Sequence, residues 1–162
     1  MASTITAANL KVKITEEVIL NGKDQGGTTE LTIASIKDVS KRIVTIAADD
    51  DATVLVFKST TASADNALDK DTVKYIRITN LDDSNSVNIS LQLDSGEDNS
   101  AADLSVTHLL EAGRSFMMGT PDEAVHADDD AATIVTALTD LESIIVDPGS
   151  NAGTVEVFTA ST

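Results

Sequence analysis

The heptapeptide VNISLQL, residues 87–93, decides the fold of this 162-residue chain. Its aliphatic residues occupy every odd position, and Asn88, Ser90 and Gln92 occupy the even ones. Successive side chains of a β-strand point to opposite faces of a sheet, so this pattern is typical of a strand with one face in a core and the other in water. The heptapeptide therefore predicts a half-buried strand of an antiparallel sheet.

Segments on both sides of residues 87–93 have the same period of two. On this basis the sequence predicts strands at Leu10–Leu20, Thr28–Ile36, Arg42–Ala47, Thr53–Ser59, Val73–Thr79, Leu104–Leu110, a short segment ending at Met118, and Thr154–Thr159. Asn21-Gly22 and Gly26-Gly27 tolerate positive φ, as a tight turn between the first two strands requires. The strands Arg42–Ala47 and Thr53–Ser59 are predicted to form a hairpin with an acidic tip at Ala48–Ala52.

One segment, Ala131–Asp147, fits two structures. Ile134, Leu138, Leu141 and Ile145 have helical spacing, and the preceding acids at 128–130 would complement the N-terminus of a helix. The run Thr-Ile-Val-Thr at 133–136 is β-branched, which disfavours a helix. We favour two strands here, with a helix as the alternative.

About ten short strands at intervals of roughly 8 to 14 residues predict an all-β, single-domain β-sandwich or jelly roll with little helix. The length suits one domain better than two independent cores. With four aromatic residues in the chain, the core must consist mainly of Val, Ile, Leu and Ala. We expect a flexible N-terminal arm at 1–9, the sandwich domain at 10–159 and a C-terminal tail at 160–162.

Charge is distributed unevenly along the chain, whose formal net charge is −16. Residues 1–78 contain ten Lys or Arg and eleven Asp or Glu, whereas residues 79–162 contain Arg114 and sixteen acids. Such an acidic surface repels a polyanion, which argues against a nucleic-acid partner. We expect the basic residues of the first half to face a supporting shell; they include Lys11, Lys13, Lys37, Lys41, Arg42, Lys74 and Arg77.

The chain has no cysteine, so it can form neither a disulfide framework nor a thiolate metal site. No apolar run approaches the ~18 to 20 residues that span a bilayer, which argues against a membrane partner. Residues 1–10, MASTITAANL, lack the basic stretch and apolar run of a secretory signal. These features fit a cytosolic protein and equally a protein that is assembled into a particle.

The sequence contains no convincing catalytic motif. Gly113-Arg114-Ser115-Phe116-Met117 resembles a nucleophile elbow, but Met117 stands where that strained turn needs a glycine. His108 and His126 are the only candidate bases for Ser115. His108 has the apolar parity of its strand and is expected in the core or an interface, and His126 is expected in a solvated loop. We therefore expect no catalytic residues.

Carboxylates are concentrated at Asp49–Asp51, Asp94–Asp98 and Asp128–Asp130. They could attract Ca²⁺, but none of the three clusters fits the spacing of an EF-hand loop. Gly26-Gly27 is not followed by the Lys and Ser or Thr of a phosphate-binding loop. We therefore expect no specific metal site and no cofactor.

Three segments resemble small β-sandwich virion proteins of tailed bacteriophages, especially marine ones. The first is VKYIRITN at Val73–Asn80, followed by an Asp/Asn turn and an alternating strand. The second is LLEAGRSFMM at Leu109–Met118, and the third is the ending DLESIIVDPGSNAGTVEVFTAST. Together the segments cover roughly half of the chain.

The resemblance implies a non-enzymatic structural protein located in a virion, with no catalytic residues to carry over. We expect a capsid decoration or cement protein that binds the major capsid protein or other virion proteins as a homo-oligomer, with a trimer as the expected state. A tail, baseplate or fibre component is one alternative. A Ca²⁺-dependent adhesin-like binding module and an esterase or glycosidase are the others.

Overall fold

A computed structural model describes residues 5–59, 67–93, 104–127 and 137–162. Its regular structure is entirely β. The strands are β1 (Ala8–Glu16), β2 (Ile19–Leu20), β3 (Lys23–Asp24), β4 (Gly27–Ile36), β5 (Asp38–Ile46), β6 (Ala52–Lys58), β7 (Leu68–Asp69), β8 (Val73–Asn80), β9 (Val87–Leu93), β10 (Leu104–Leu110), β11 (Ser115–Met118), β12 (Leu141–Asp147) and β13 (Gly153–Ser161). The expected all-β sandwich is confirmed.

Two sheets form the body of the sandwich. The five-stranded sheet has the order β10-β9-β12-β6-β7, and the four-stranded sheet has the order β11-β8-β13-β5. Neighbouring strands are antiparallel except for the short β7, which pairs with β6 in parallel. Most strands therefore pair with partners that are distant in sequence.

The core is an aliphatic layer between these two sheets. β9 contributes Val87, Ile89, Leu91 and Leu93, each at most 5% exposed. β10 and β12 flank β9 in the five-stranded sheet. The opposite sheet contributes buried side chains from β5, β8 and β13, namely Ile46, Val73, Ile76, Ile78, Val155 and Val157. The strand predicted first from the sequence thus lies at the centre of the core.

The segment Ala8–Ile36, called the arm below, leaves this sandwich as a separate ribbon. In the arm β1 pairs with β4, and the short β2 and β3 form its tip around Asn21-Gly22, where both residues have positive φ. Lys37 alone separates β4 from β5. A β-bulge opposite Asn9, with Ser35 at φ 65°, interrupts the ribbon where it meets the sandwich. Bulges bend a strand and increase its twist, which explains the change of direction.

Asn80, at the end of β8, is a fully buried polar residue with a structural role. Its Nδ2 donates to the carbonyls of Asn85 (2.8 Å) and Leu110 (3.2 Å), and its Oδ1 accepts from the N–H of Asp82 (3.0 Å). One side chain therefore ties the end of β8, the following turn and the end of β10 together. This is the final Asn of the VKYIRITN segment.

The predicted strands agree with the observed ones at most positions. The heptapeptide 87–93 is β9 without any difference in its bounds, and Val73–Thr79 and Leu104–Leu110 correspond to β8 and β10. In the ambiguous segment, β12 is a strand from Leu141 onward, and Thr139 forms an isolated bridge with Val125. Residues 128–136 and the acidic run at 94–103 lie outside the described residues.

The predicted hairpin around Ala48–Ala52 was wrong. β5 pairs with β13 in one sheet, and β6 pairs with β12 in the other, so the acidic tip is a crossover between sheets. Asp49 adopts φ 60°, and its N–H donates to the carbonyl of Gly149 (2.7 Å). The hydrogen bond to a distant turn stabilises the crossover, and local sequence gives no signal for it.

The chain termini also differ from expectation. Ala8 and Asn9, expected in a flexible arm, belong to β1. Ala160 and Ser161, expected in a tail, continue β13, and Ala160 is fully buried. The N–H of Thr162 donates to the carbonyl of Thr72. Small side chains at the end of β13 are therefore buried because the arm packs over them.

The burial of β9 predicts that truncating one of its core side chains lowers the free energy of unfolding much more than truncating an exposed side chain of similar size. Ile89→Ala should lower the free energy of unfolding by about 2–5 kcal/mol, because it leaves a cavity at the centre of β9. Leu109→Ala, on the neighbouring β10, removes a side chain that is 56% exposed and should cost well under half as much. Urea denaturation followed by circular dichroism measures both. Equal losses would contradict the assignment of β9 to the core.

The Asn80 hydrogen bonds predict a second effect on stability. Asn80→Ala leaves the carbonyls of Asn85 and Leu110 without this donor and should cost about 1–3 kcal/mol. Asn88→Ala, at an exposed position of β9, is the matched control and should change little. A loss no greater than that of the control, measured by the same denaturation experiment, would contradict the role given to Asn80.

Candidate assembly surface

The arm exposes aliphatic side chains that a soluble monomer would normally cover. Thirteen large hydrophobic residues are exposed in the described part of the chain, and five of them lie in the arm: Ile14, Val18, Ile19, Leu20 and Leu31. Ile19, at the tip, is 79% exposed. Contiguous exposed apolar residues mark interaction surfaces more often than scattered ones do. The arm is therefore the strongest candidate for a functional surface.

Strand register gives the arm one apolar face. Leu10 lies opposite Ile33 and Val12 lies opposite Leu31, while the alternate positions Lys11 and Lys13 lie on the other face. Because side chains alternate along each strand, the apolar residues of β1 and β4 form one continuous stripe. The tip residues extend this apolar surface away from the sandwich.

The base of the arm is anchored on the outer face of the four-stranded sheet. Leu10, Val12 and Ile33 pack there in a small cluster with Tyr75 and Ala160. Phe158 belongs to the same cluster, and its ring meets Tyr75 edge to face with centroids 6.0 Å apart. Burial raises the pKa of Tyr75. These contacts fix the base of the arm and leave its outer half exposed.

Between the outer half of the arm and the sandwich lies an open apolar groove, called the groove below. Its volume is about 340 Å³. The lining residues are Val12, Ile14, Thr29, Leu31, Lys74, Tyr75, Met117, Met118 and Gly119. Lys74 is the one charged residue among these nine. The groove therefore has the chemistry of a binding site for an aliphatic segment with an acidic neighbour.

An ion-pair network crosses the same outer face. Glu156, on the central strand β13, accepts from Arg77 on β8 (2.6 Å) and from Lys41 on β5 (2.9 Å). The hydrogen bond from Lys41 and that from Arg77 lower the pKa of Glu156. The Arg77 guanidinium also lies 5.9 Å from the ring centroid of Phe158. Lys41 and Arg77 are thus already paired with a carboxylate of their own sheet. They would have to give up these ion pairs to bind an acidic partner.

The basic residues expected to form one face are only partly together. Lys41 and Arg77 share the outer face of the four-stranded sheet through Glu156. Arg42 follows Lys41 along β5 and donates to the carbonyl of Val54 in the opposite sheet. Lys11 pairs with Glu30 within the arm. A strand places adjacent residues on opposite faces, so Lys41 and Arg42 cannot contact the same partner surface.

Lys70 is the centre of a second charged cluster. Its Nζ lies 2.6 Å from Asp122, 2.8 Å from Asp140 and 3.4 Å from Asp71. The hydrogen bonds to Asp122 and Asp140 raise the pKa of Lys70. Burial opposes ionisation of Asp140, but the N–H of Glu123 and the Lys70 ammonium outweigh it and lower the pKa of Asp140. The cluster joins three loops and is structural.

The expected acidic surface includes a concave patch formed by two turns. Asp49, Asp50 and Asp51 line it together with Asp147 and Gly149. Within the described ranges, no group of three or more His, Cys, Asp or Glu is arranged to hold a metal ion. The clusters at 94–98 and 128–130 lie outside those ranges.

Ser115, His108 and His126, which were considered for catalysis, each contact a different residue and not one another in the contacts described here. Ser115 Oγ lies 2.8 Å from Thr79 Oγ1, and His126 Nδ1 lies 3.4 Å from Thr139 Oγ1. The ring of His108 packs against Phe116 with centroids 5.8 Å apart. His108 is exposed and therefore lies outside the core, and its expected alternative place in an interface stays a prediction. In the described part of the chain β10 is an edge strand, and Phe116 belongs to β11 of the opposite sheet.

Among the described residues, no helix is long and apolar enough to cross a membrane. No protein-family model matches the chain, and no curated protein matches it. One solved structure, described as Bacillus endospore appendages that form a novel family of disulfide-linked pili, is similar with a TM-score of 0.36 and 13% sequence identity. The match covers 76% of this chain and 85% of that chain.

The Lys70 cluster predicts a specific pH dependence of stability. Because the pKa of Asp140 is lower in the folded chain, its contribution to stability is present above the ordinary value of about 3.9 and is lost as pH falls through the folded pKa. Asp140→Asn should therefore lose less stability than the wild type between pH 5 and pH 2. Asp51→Asn removes a carboxylate without touching Lys70 and should follow the wild-type profile. Parallel profiles for all three proteins, from urea denaturation, would contradict the assignment.

Proposed function

We propose that this chain is a non-enzymatic structural protein of a phage virion, a capsid decoration or cement protein that binds the outer shell as an oligomer. The observation that carries the proposal is the arm, whose outer half presents Ile14, Leu31 and the tip residues to solvent. Burying one such side chain contributes about 1.5–3 kcal/mol. A partner surface that covered the arm would therefore bind with a large apolar contribution.

Open sheet edges also support an assembled state. Among the described residues, β5 and β10 each pair on one side only, with β13 and β9 respectively. β5 is nine residues long and exposes Val39 and Ile43. Long edge strands with exposed hydrophobic residues are aggregation-prone unless a partner covers them. An ordered oligomer on a particle surface satisfies that requirement.

The charge distribution supports an outward position on the particle. The crossover at Asp49–Asp51 lies with Asp147 at one end of the sandwich. A surface of this sign repels packaged nucleic acid and keeps copies soluble before assembly. The resemblance of VKYIRITN and the two later segments to small phage virion proteins supplies the particle type.

The arm predicts the behaviour of a charged double variant. Ile14→Asp with Leu31→Asp places two carboxylates on the exposed half of the arm while leaving the sandwich core unchanged. We expect the variant to fold with wild-type stability and to lose most of its occupancy on particles. Quantitative mass spectrometry of purified particles, from the virus that encodes the chain, measures that occupancy.

Leu109→Asp is the control, because Leu109 is at least as exposed as Ile14 and Leu31 but lies on β10, outside the arm. It should keep normal occupancy. Absence of the wild-type chain from purified particles would overturn the virion proposal. Normal occupancy of the arm variant would overturn the role of the arm. Labelled antibody on intact particles separates a capsid position from a tail, baseplate or fibre position.

A further inference from the structure

The arm tip and the groove are both apolar and exposed. The tip presents Val18, Ile19 and Leu20, which are between 48% and 79% exposed. The groove holds about 340 Å³ between two apolar walls. If each carbon takes roughly the ~30 Å³ of a water molecule, the side chain of Ile19 needs about 120 Å³, which the groove can hold. The tip projects from the distal end of the arm, so its natural acceptor is on another molecule.

Charges at the two surfaces are also complementary. Lys74, in the groove, donates to the backbone carbonyl of Asp71 and has no carboxylate partner among the described residues. Glu16 and Glu17 directly precede Val18, and neither has a cation partner in the described part of the chain. A tip that enters the groove brings these acids toward the Lys74 ammonium. Complementary rim charges of this kind fix orientation and exclude wrong partners.

The overall charge restricts where two copies can meet. The arm contains three lysines and four acids, so it contributes −1 of the net −16, and the rest of the chain carries −15. Copies of this chain repel each other through most of their surface. The arm is nearly neutral and the groove adds one positive residue, so contact between these two surfaces avoids most of the repulsion.

We propose that the groove binds the arm tip of a second copy of this chain, with Ile19 inserted between Leu31 and Met117 and with Glu17, on the same face as Ile19, beside Lys74. The contact deepens the proposed function by naming the self-association surface, and it rests on the oligomeric state proposed there. Tip and groove are different surfaces, so the contact is head-to-tail. Head-to-tail contacts close into rings or continue as filaments, and a closed ring agrees with the expected trimer.

The absence of cysteine permits a direct test in solution. Ile19→Cys protein is mixed with Met117→Cys protein, and the rate of disulfide-linked dimer formation is measured by non-reducing electrophoresis. We expect this pair to cross-link at least about tenfold faster than a control pair of Ile19→Cys with Leu109→Cys. Binding raises the effective concentration of the two thiols from micromolar to about millimolar.

Charge reversal gives an independent measurement on the same pair. Lys74→Glu in the Met117→Cys copy should slow cross-linking by about threefold, as expected for loss of one exposed ion pair. Glu17→Lys in the Ile19→Cys copy should restore the rate. Slowing without restoration would overturn the pairing of Glu17 with Lys74.

Three outcomes would overturn the proposal. Cross-linking no faster than the control pair means that the groove does not receive the tip of another copy. Ile19→Cys dimers that form as fast as the mixed pair mean that tips meet each other. A chain that is monomeric by light scattering, yet loses particle occupancy in the arm variant, means that another virion protein occupies the groove. That last result would leave the virion proposal standing.

Discussion

The aliphatic layer between the two sheets fixes the positions of all the surfaces described above. Ile89 and Leu91 on β9 face Ile76 and Ile78 on β8 across a core with no exposed member. Because the side-chain period is two, a shift of one residue in any of these strands would place polar side chains in this layer. The pairing register of the strands is therefore strongly determined in the sandwich. Acidic residues such as Asp49–Asp51 lie in the turns between the strands.

Apolar side chains also alternate along the strands of the arm, but no second sheet covers them along its outer half. Its base packs on Tyr75 and Ala160, but its outer half faces the groove and solvent. A two-stranded ribbon is marginally stable in water unless its apolar face is covered. The structure therefore combines a buried aliphatic core with a ribbon whose outer half is exposed, which is the half that we propose a partner covers.

Periodicity in the sequence predicted the strands because a period of two is a local property. It placed β9 without error and identified the Asn21-Gly22 turn. It could not predict pairing, since β5 and β6 are adjacent in sequence and belong to opposite sheets. It also could not decide between a core and an interface position for His108, whose strand lies at the edge of its sheet and whose side chain is exposed. The sequence analysis did not identify the arm as an exposed surface, because Leu10 to Leu20 alternates in the same way as a core strand. Alternation alone does not show whether a second sheet covers the apolar face.

The central claim is that the exposed half of the arm is covered when the protein assembles. Hydrogen exchange of the backbone amides, followed by mass spectrometry, tests it most directly by comparing free chain with chain on particles. We expect slow exchange in β9 and β12 in both states, and slowed exchange in β1 and β4 after assembly only. Arm amides that exchange at the same rate in both states would contradict the account.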